Sequence, residues 1–223
     1  MTDANSRLDP ILLATLRHVA FDGWSAAAMA AGARDAGLDR DRLSIVFPGG
    51  LRDLAAVFSD WADRSMVAAL EADRVVLADL RVRERIEALI VARLTVLAPH
   101  REAVRAALGF LALPQNADLA FRLTASTANT IWRAAGDTAT DFSYYTKRGL
   151  LASVLAATML YWLDDRDEAM QGTRRFLRAR IDNVIALQGL RGQVQKMAGG
   201  LPDPVRLLRR IRESWSRARM TGR

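Results

Sequence analysis

The stretch Asp141–Asp165, DFSYYTKRGLLASVLAATMLYWLDD, decides the fold class. Acidic residues open and close it, Asp141 stands where a helix N-cap belongs, and no proline interrupts it. A helix of this length spans about 37 Å at about 1.5 Å per residue. Between Gly149 and Leu163 there is no charge, and apolar residues fall on every side. That is the pattern of a helix buried all round. The uncharged run is shorter than the roughly 20 residues needed to cross a bilayer. The stretch therefore predicts a central core helix whose first two turns carry a polar, aromatic and basic surface at Tyr144, Tyr145, Lys147 and Arg148.

Outward from this helix the chain reads as all-α. Apolar residues make up 51% and aromatic residues 7%, too few aromatic and β-branched side chains for a sheet protein. Apolar spacing predicts helices over Leu51 to about Asp73, Val82–Leu97, Arg101–Leu113, Ala117–Ala135 and Asp167–Leu190. In the second of these, Ile86, Leu89, Ile90 and Leu94 face inward. Ahead of them, Asp9-Pro10 starts a first helix, Ser25 caps a second that ends at Gly37, and LDRDR opens a short third running into Phe47-Pro48-Gly49-Gly50. Three short helices with a tight turn between the last two form a helix-turn-helix pattern. The expected organisation is a helix-turn-helix-like subdomain at 8–50, a helical bundle at 51–191, a linker at 192–203 and an amphipathic helix at 204–220.

The net charge of +7 belongs to the C-terminal quarter, where residues 173–223 hold 13 basic and 3 acidic side chains. After the glycine-bearing GQVQKMAGGL, Asp203-Pro204 restarts a helix. Leu207, Leu208, Ile211 and Trp215 share one side of it; Arg206 and Arg210 are among the basic residues opposite. This is the signature of an interfacial helix on an anionic membrane surface. A terminal helix docked on the bundle gives the same pattern, and composition leaves both open. The first ten residues have neither the apolar segment of a secretory signal nor the Arg-rich pattern of a mitochondrial presequence. The expectation is a bacterial cytosolic protein or a mature form.

Catalytic chemistry is sparse. The chain has no cysteine, which excludes disulfides, thiolate nucleophiles and cysteine metal sites. Its 2 histidines, His18 and His100, lie in different helices. No Glu-x-x-His pair of a di-iron bundle and no Gly-rich phosphate loop occurs. A Ser-His-Asp set is assembled only by folding and stays open at this level. The reading is a binding protein without cofactor or metal. The apolar side chains of the central helix, with Phe110, Leu111, Ile131 and Trp132 flanking it, fit either a filled core or a ligand pocket between helices.

Two resemblances narrow the choice. The N-terminal helices with their Phe-Pro turn resemble the DNA-binding end of TetR-type repressors. Here, however, Leu43-Ser44-Ile45-Val46-Phe47 lacks the Tyr such repressors usually carry, and Gly49-Gly50 stands where a phosphate-reaching Lys follows the turn. Asp39 and Asp41 open the presumed recognition helix, a poor partner for phosphate. No nucleic-acid partner is expected. DFSYYTKRGLLASVLAATMLYWLDD, with IWRAAGDTATDF before it, TRRFLRARIDNV after it and the N-terminal FDGWSAAAMAAGARDAG, resembles the Coq-nine family of ubiquinone-biosynthesis proteins over about Ile11 to Leu190.

That resemblance implies a TetR-like fold and a non-enzymatic accessory role. It implies an apolar pocket for an isoprenoid quinone or its precursor, membrane association through the C-terminal helix, and a surface patch for the di-iron demethoxyubiquinone hydroxylase. The implied pocket residues are Phe110, Leu111, Ile131 and Trp132, joined by Leu151, Leu155, Met159 and Trp162 of the central helix. Asp141, Tyr144, Tyr145 and, more loosely, Arg148 match the patch; Tyr144 stands where some relatives have Trp. Arg206, Leu207, Leu208, Arg210, Ile211 and Trp215 would meet the membrane. The TetR likeness implies a homodimer through the last two bundle helices. The implied location is the cytoplasmic face of a bacterial inner membrane, or the matrix side for a mature mitochondrial form. A ligand-responsive TetR-type regulator is the alternative.

Overall fold

The computed structural model describes residues 7–73, 77–136 and 142–198. Among them every regular element is helical. In chain order these are α1 (Asp9–Asp22), α2 (Ala26–Asp35), α3 (Arg40–Val46), α4 (Leu51–Ala72), α5 (Val82–Leu97), α6 (Arg101–Leu111), α7 (Ala117–Ala134), α8 (Phe142–Asp164) and α9 (Gln171–Ala198). Short 3-10 turns fall at Leu77–Asp79, Ala98–His100 and Pro114–Asn116. The chain divides into two compact units between Arg180 and Ile181; the first holds α1–α8 and the opening turns of α9.

The N-terminal helices begin and end where their residues require. Pro10 sits in the first turn of α1, where its missing N–H costs nothing. The Ser25 hydroxyl accepts from the Ala28 amide at 3.2 Å and caps α2. Gly37, at φ 76°, then takes the left-handed position that terminates it. The Asp39 carboxylate accepts from the Arg42 amide at 2.8 Å and starts α3. Gly32 of α2 lies directly against the backbone of Thr15 in α1: a Cβ placed there would stand 2.4 Å from the Thr15 Cα.

These three helices are seated on α4 by specific contacts. The Trp24 indole donates to the Leu51 carbonyl at 3.3 Å and stacks on Phe58 with ring centroids 5.9 Å apart. Arg64 of α4 donates to both carboxylate oxygens of Asp9, at 2.8 and 3.0 Å, and to Asp60 at 2.9 Å. Behind this contact the core is packed by Leu54 and Met66 of α4, Leu89 and Ile90 of α5, Ile131 of α7 and Trp162 of α8, all fully buried. Each such side chain contributes about 1.5–3 kcal/mol on leaving water. The inward face predicted for α5 is the one observed, with Ile86, Leu89, Ile90 and Leu94 buried.

α8 departs from the expected all-round burial. Leu151, Val154, Leu155, Thr158, Trp162 and Leu163 are buried, whereas Ser153, Ala156, Leu160 and Tyr161 are exposed, Leu160 at 61%. Apolar Ala156 and Leu160 on the outward side erase the periodicity that would have marked the inner face. The C-terminal end of α8 is held by α6. Arg101 donates to the carbonyls of Trp162 and Asp165, and Arg105 to that of Leu163 at 2.8 Å. Cations at a helix C-terminus meet both its unsatisfied carbonyls and its dipole.

The turn into α9 is built on two aspartates. The Asp165 carboxylate accepts from the Thr173 hydroxyl at 2.7 Å, the Thr173 amide at 2.8 Å and the Asp167 amide at 3.1 Å. These bonds, the Thr173 hydroxyl first, hold its carboxyl below the usual range. Asp167 in turn accepts from the Gln171 amide at 2.9 Å, so α9 starts at Gln171 rather than at Asp167. It runs past Leu190 to Ala198, through most of the stretch predicted as a linker. One glycine, Gly192, costs a helix about 1 kcal/mol, and the Gln, Lys, Met and Ala that follow are good helix formers. The Asp141 cap and the amphipathic helix at 204–220 lie outside the described residues.

Candidate functional site

α4, α5, α6, α7 and α8 enclose a cavity of about 370 Å³. That volume falls within the range of about 300–1,000 Å³ of small-molecule sites. Its cause lies in side-chain size. Ala55 and Ala62 of α4, Ala107 of α6, Ala120 of α7 and Ala156 of α8 all line it, and facing alanines leave space that larger side chains would fill. Phe58, Leu97, Val104, Leu108 and Leu123 add larger apolar side chains to the lining. Among the lining residues, Ala112, Ala156 and Leu160 are also exposed, which marks the side where the cavity reaches the surface.

One wall is polar. Arg93, Ser59, Thr124 and Thr127 line it. Arg93 is buried and its Nε donates to Asp63 Oδ1 at 2.8 Å. Thr127 donates to the same carboxylate, at 3.0 and 3.1 Å, and lies 3.5 Å from the Ser59 hydroxyl. Burial pushes the Asp63 carboxyl up, and Arg93 and Thr127 pull it back; the net direction is up. Thr124 donates its hydroxyl to the Ala120 carbonyl at 2.8 Å.

Three of the sequence-predicted pocket residues, Leu111, Leu155 and Met159, line the cavity. The other five do not, and each has another task. Ile131 and Leu151 are buried in the packed core. Trp162 is fully buried beneath the Arg101 guanidinium, 4.7 Å from its ring. Phe110 packs toward Trp24, with ring centroids 6.4 Å apart. Trp132 donates to the Lys147 carbonyl at 3.2 Å, with the Lys147 ammonium 5.5 Å from its ring, and so anchors the first turns of α8. Sequence reading missed Arg93, Asp63 and Thr127, which lie in three different helices. It also missed the alanines, whose signal is a small residue at an inward position.

Of the predicted partner patch, Arg148 is half-buried and donates to the Asn129 Oδ1 at 3.0 Å. Asp141 and the side chains of Tyr144 and Tyr145 are outside the described residues, as is the whole membrane-facing set from Arg206 to Trp215. His18 pairs with Asp35 at 2.7 Å, and His100 meets the Trp61 ring edge-on at 5.5 Å, where burial lowers its pKa. Among the described residues, no group of three or more His, Asp or Glu could hold a metal ion. Among the same residues, no helix is long and apolar enough to cross a membrane.

Three short helices seated on a larger helical assembly define an all-helical, TetR-like protein. The fold matches the crystal structure of the TetR transcriptional regulator from Nitrosomonas europaea ATCC 19718, with a TM-score of 0.65 and 22% identity, over 81% of this chain and 98% of that one. At that identity the likeness is one of fold.

Residues 117–188 match the COQ9 family model. The chain is 31% identical over 196 residues to the human "Ubiquinone biosynthesis protein COQ9, mitochondrial", covering 86% of this chain and 61% of that one. It is 30% identical over 193 residues to the Drosophila melanogaster protein of the same name, covering 84% and 58%. The chain therefore spans roughly three fifths of the length of these relatives. The chain is thus similar to COQ9 proteins in sequence, on a TetR-like fold.

Proposed function

We propose that this chain is a non-enzymatic accessory protein of ubiquinone biosynthesis. It holds a polyprenyl-quinone intermediate in the α4–α8 cavity and presents it at a membrane to a di-iron hydroxylase. The observation that carries the reading is the cavity itself: a largely apolar space of about 370 Å³, reaching the surface beside exposed Leu160, in a chain similar to ubiquinone-biosynthesis proteins. An apolar tail gains from every methylene it buries there. In this reading the basic, amphipathic sequence at 204–220 meets the membrane surface, so the insoluble substrate passes without crossing water. The location is peripheral: the cytoplasmic face of a bacterial inner membrane, or the matrix side of a mitochondrial one. A homodimer through the last two bundle helices fits the exposed Leu160 and Tyr161 on α8.

Native mass spectrometry of the freshly purified protein, followed by organic extraction, tests the cavity. An isoprenoid quinone or precursor is expected at one per chain, and Met159→Glu, which puts a charge in the cavity, is expected to lose it. Deleting residues 203–223 should weaken liposome binding while leaving the lipid in place. A protein that emerges lipid-free and refuses added quinone would overturn the reading.

The docking patch for the hydroxylase in this reading is Asp141, Tyr144, Tyr145 and Arg148. Amphipathic aromatics are the usual anchors of such patches. Replacing both tyrosines by alanine is expected to weaken hydroxylase binding by about 2 kcal/mol or more, roughly thirtyfold. Surface-immobilised hydroxylase reads this directly, and unchanged affinity would remove the patch.

The TetR likeness favours a second reading, a ligand-responsive DNA-binding regulator. Its presumed recognition helix, α3, opens at Asp39 and Asp41, and Asp39 accepts from its own first turn. Acidic residues at that position repel phosphate. A specific, salt-sensitive band in a gel shift with genomic fragments would restore this reading.

A further inference from the structure

A buried ion pair on the wall of an apolar cavity needs a reason. Well-packed apolar residues of the same volume serve stability as well or better. Here the pair is built in from three helices: Asp63 from α4, Arg93 from α5 and Thr127 from α7. Its donors are unequally engaged. Arg93 Nε is committed to Asp63, while its two Nη groups have no hydrogen-bond partner among the described residues. These groups are not sealed, since the buried side-chain polar atoms without a partner do not include them. The Thr127 hydrogen goes to Asp63 and the Thr124 hydrogen to Ala120. With the Thr127 hydrogen so placed, Ser59 is the donor in its 3.5 Å contact with Thr127, a long bond that its hydroxyl exchanges for a better-placed acceptor in the cavity it lines.

We propose that this cluster is the recognition wall of the cavity, binding the neutral, oxygen-bearing head group of an amphipathic lipid. The Arg93 Nη groups and the Ser59 hydroxyl donate to a carbonyl or phenolic oxygen, while the alanine- and leucine-lined remainder takes the tail. The inference rests on the cavity reading above and adds what that reading lacks, a means of telling one apolar ligand from another. Electrostatics sets the head-group class. Arg93 is already neutralised by Asp63, so a carboxylate would bring a second, uncompensated negative charge beside Asp63 in a buried site. A neutral acceptor satisfies the donors without that cost. A pure hydrocarbon leaves them unpaired, and a site built to hydrogen-bond a ligand discriminates strongly against an analogue that lacks the group.

The test uses three ligands with one tail: 2-farnesyl-1,4-benzoquinone, farnesoic acid and farnesene. Each is titrated against the full chain holding 1-N-phenylnaphthylamine, a neutral apolar fluorophore, in the cavity. The quinone is expected to displace the fluorophore at least tenfold more tightly than farnesene, and more tightly than the acid. In Asp63→Leu/Arg93→Met, which removes both charges together, the quinone should fall to the affinity of farnesene, and farnesene should change by less than threefold. Equal affinities for quinone and farnesene in the unmodified protein overturn the recognition wall while leaving the cavity reading intact. Tightest binding by farnesoic acid overturns the neutral head group. Failure of all three to displace the fluorophore overturns the cavity reading and this inference with it. The ranking in the unmodified protein decides the matter even if the double variant does not fold.

Discussion

Asp63→Leu is expected to destabilise the fold by about 3–5 kcal/mol, the usual cost of leaving one partner of a buried ion pair alone. The stranded group is the buried Arg93 guanidinium. Arg93→Met strands the carboxylate instead, and a carboxylate can escape by taking up a proton. Burial already pushes Asp63 up, and without Arg93 its largest opposing influence is gone. Its folded pKa then lies well above the unfolded value of about 3.9. A carboxyl raised on folding contributes stability that is fully present below the unfolded pKa and is lost as pH rises through the folded one. Arg93→Met should therefore be nearly as stable as the parent at pH 4 and clearly weaker at pH 7. The deficit of Asp63→Leu should vary little over the same range. The double variant Asp63→Leu/Arg93→Met should recover most of the loss, because it leaves no charge unpaired. Urea denaturation of the four proteins at both pH values checks all of this. A double variant no more stable than either single one would mean that the cluster is held by something other than charge pairing.

Gly32→Ala is expected to destabilise the protein by on the order of 3 kcal/mol, the upper part of the range for overpacking. On helix propensity alone the change should stabilise by about 1 kcal/mol, so the sign of the effect is diagnostic. A Cβ at this position would stand 2.2 Å from the Thr15 hydroxyl, 2.4 Å from its Cα and 2.5 Å from its backbone nitrogen. The α1 backbone cannot move aside. Thr15 is itself fixed, fully buried with its hydroxyl bonded to the Ile11 carbonyl at 2.8 Å. Relief requires α1 and α2 to separate, which opens the interface on which the N-terminal subdomain depends. Gly109, by contrast, has nothing within 4 Å of an added Cβ, so Gly109→Ala is the control and should be neutral or stabilising. Thermal unfolding of the pair decides the point; a melting temperature raised by Gly32→Ala would refute the close helix crossing.

Local chemistry wrote the helices into the sequence. Ser25, Gly37, Asp39 and Pro10 act within a few residues of themselves, through caps, a left-handed terminator and a first-turn proline, and they can be read without knowing what packs on what. The inward face of α5 is legible for the same reason, since Ile86, Leu89, Ile90 and Leu94 recur at the helical period. α9 runs on to Ala198 because only Gly192 of the glycines in GQVQKMAGGL falls within it, and one glycine does not stop a helix whose other residues favour it. Legibility failed most where the answer depends on several helices meeting. Large apolar residues such as Ile131, Leu151 and Trp162 look like a ligand pocket in sequence, yet their volume is what fills a core. Empty space arises instead where Ala55, Ala62, Ala107, Ala120 and Ala156 converge, and an alanine carries no mark of what it will face. Arg93 and Asp63, 30 residues apart, and Thr127, 64 residues from Asp63, become one cluster only when α4, α5 and α7 pack together. The sequence alone determined an all-helical chain, its caps and its family likeness, because these depend on near neighbours and on residue identity. Only the tertiary structure decided where the cavity lies and which groups line its polar wall, because side-chain volume and charge pairing act between helices that the chain order keeps apart.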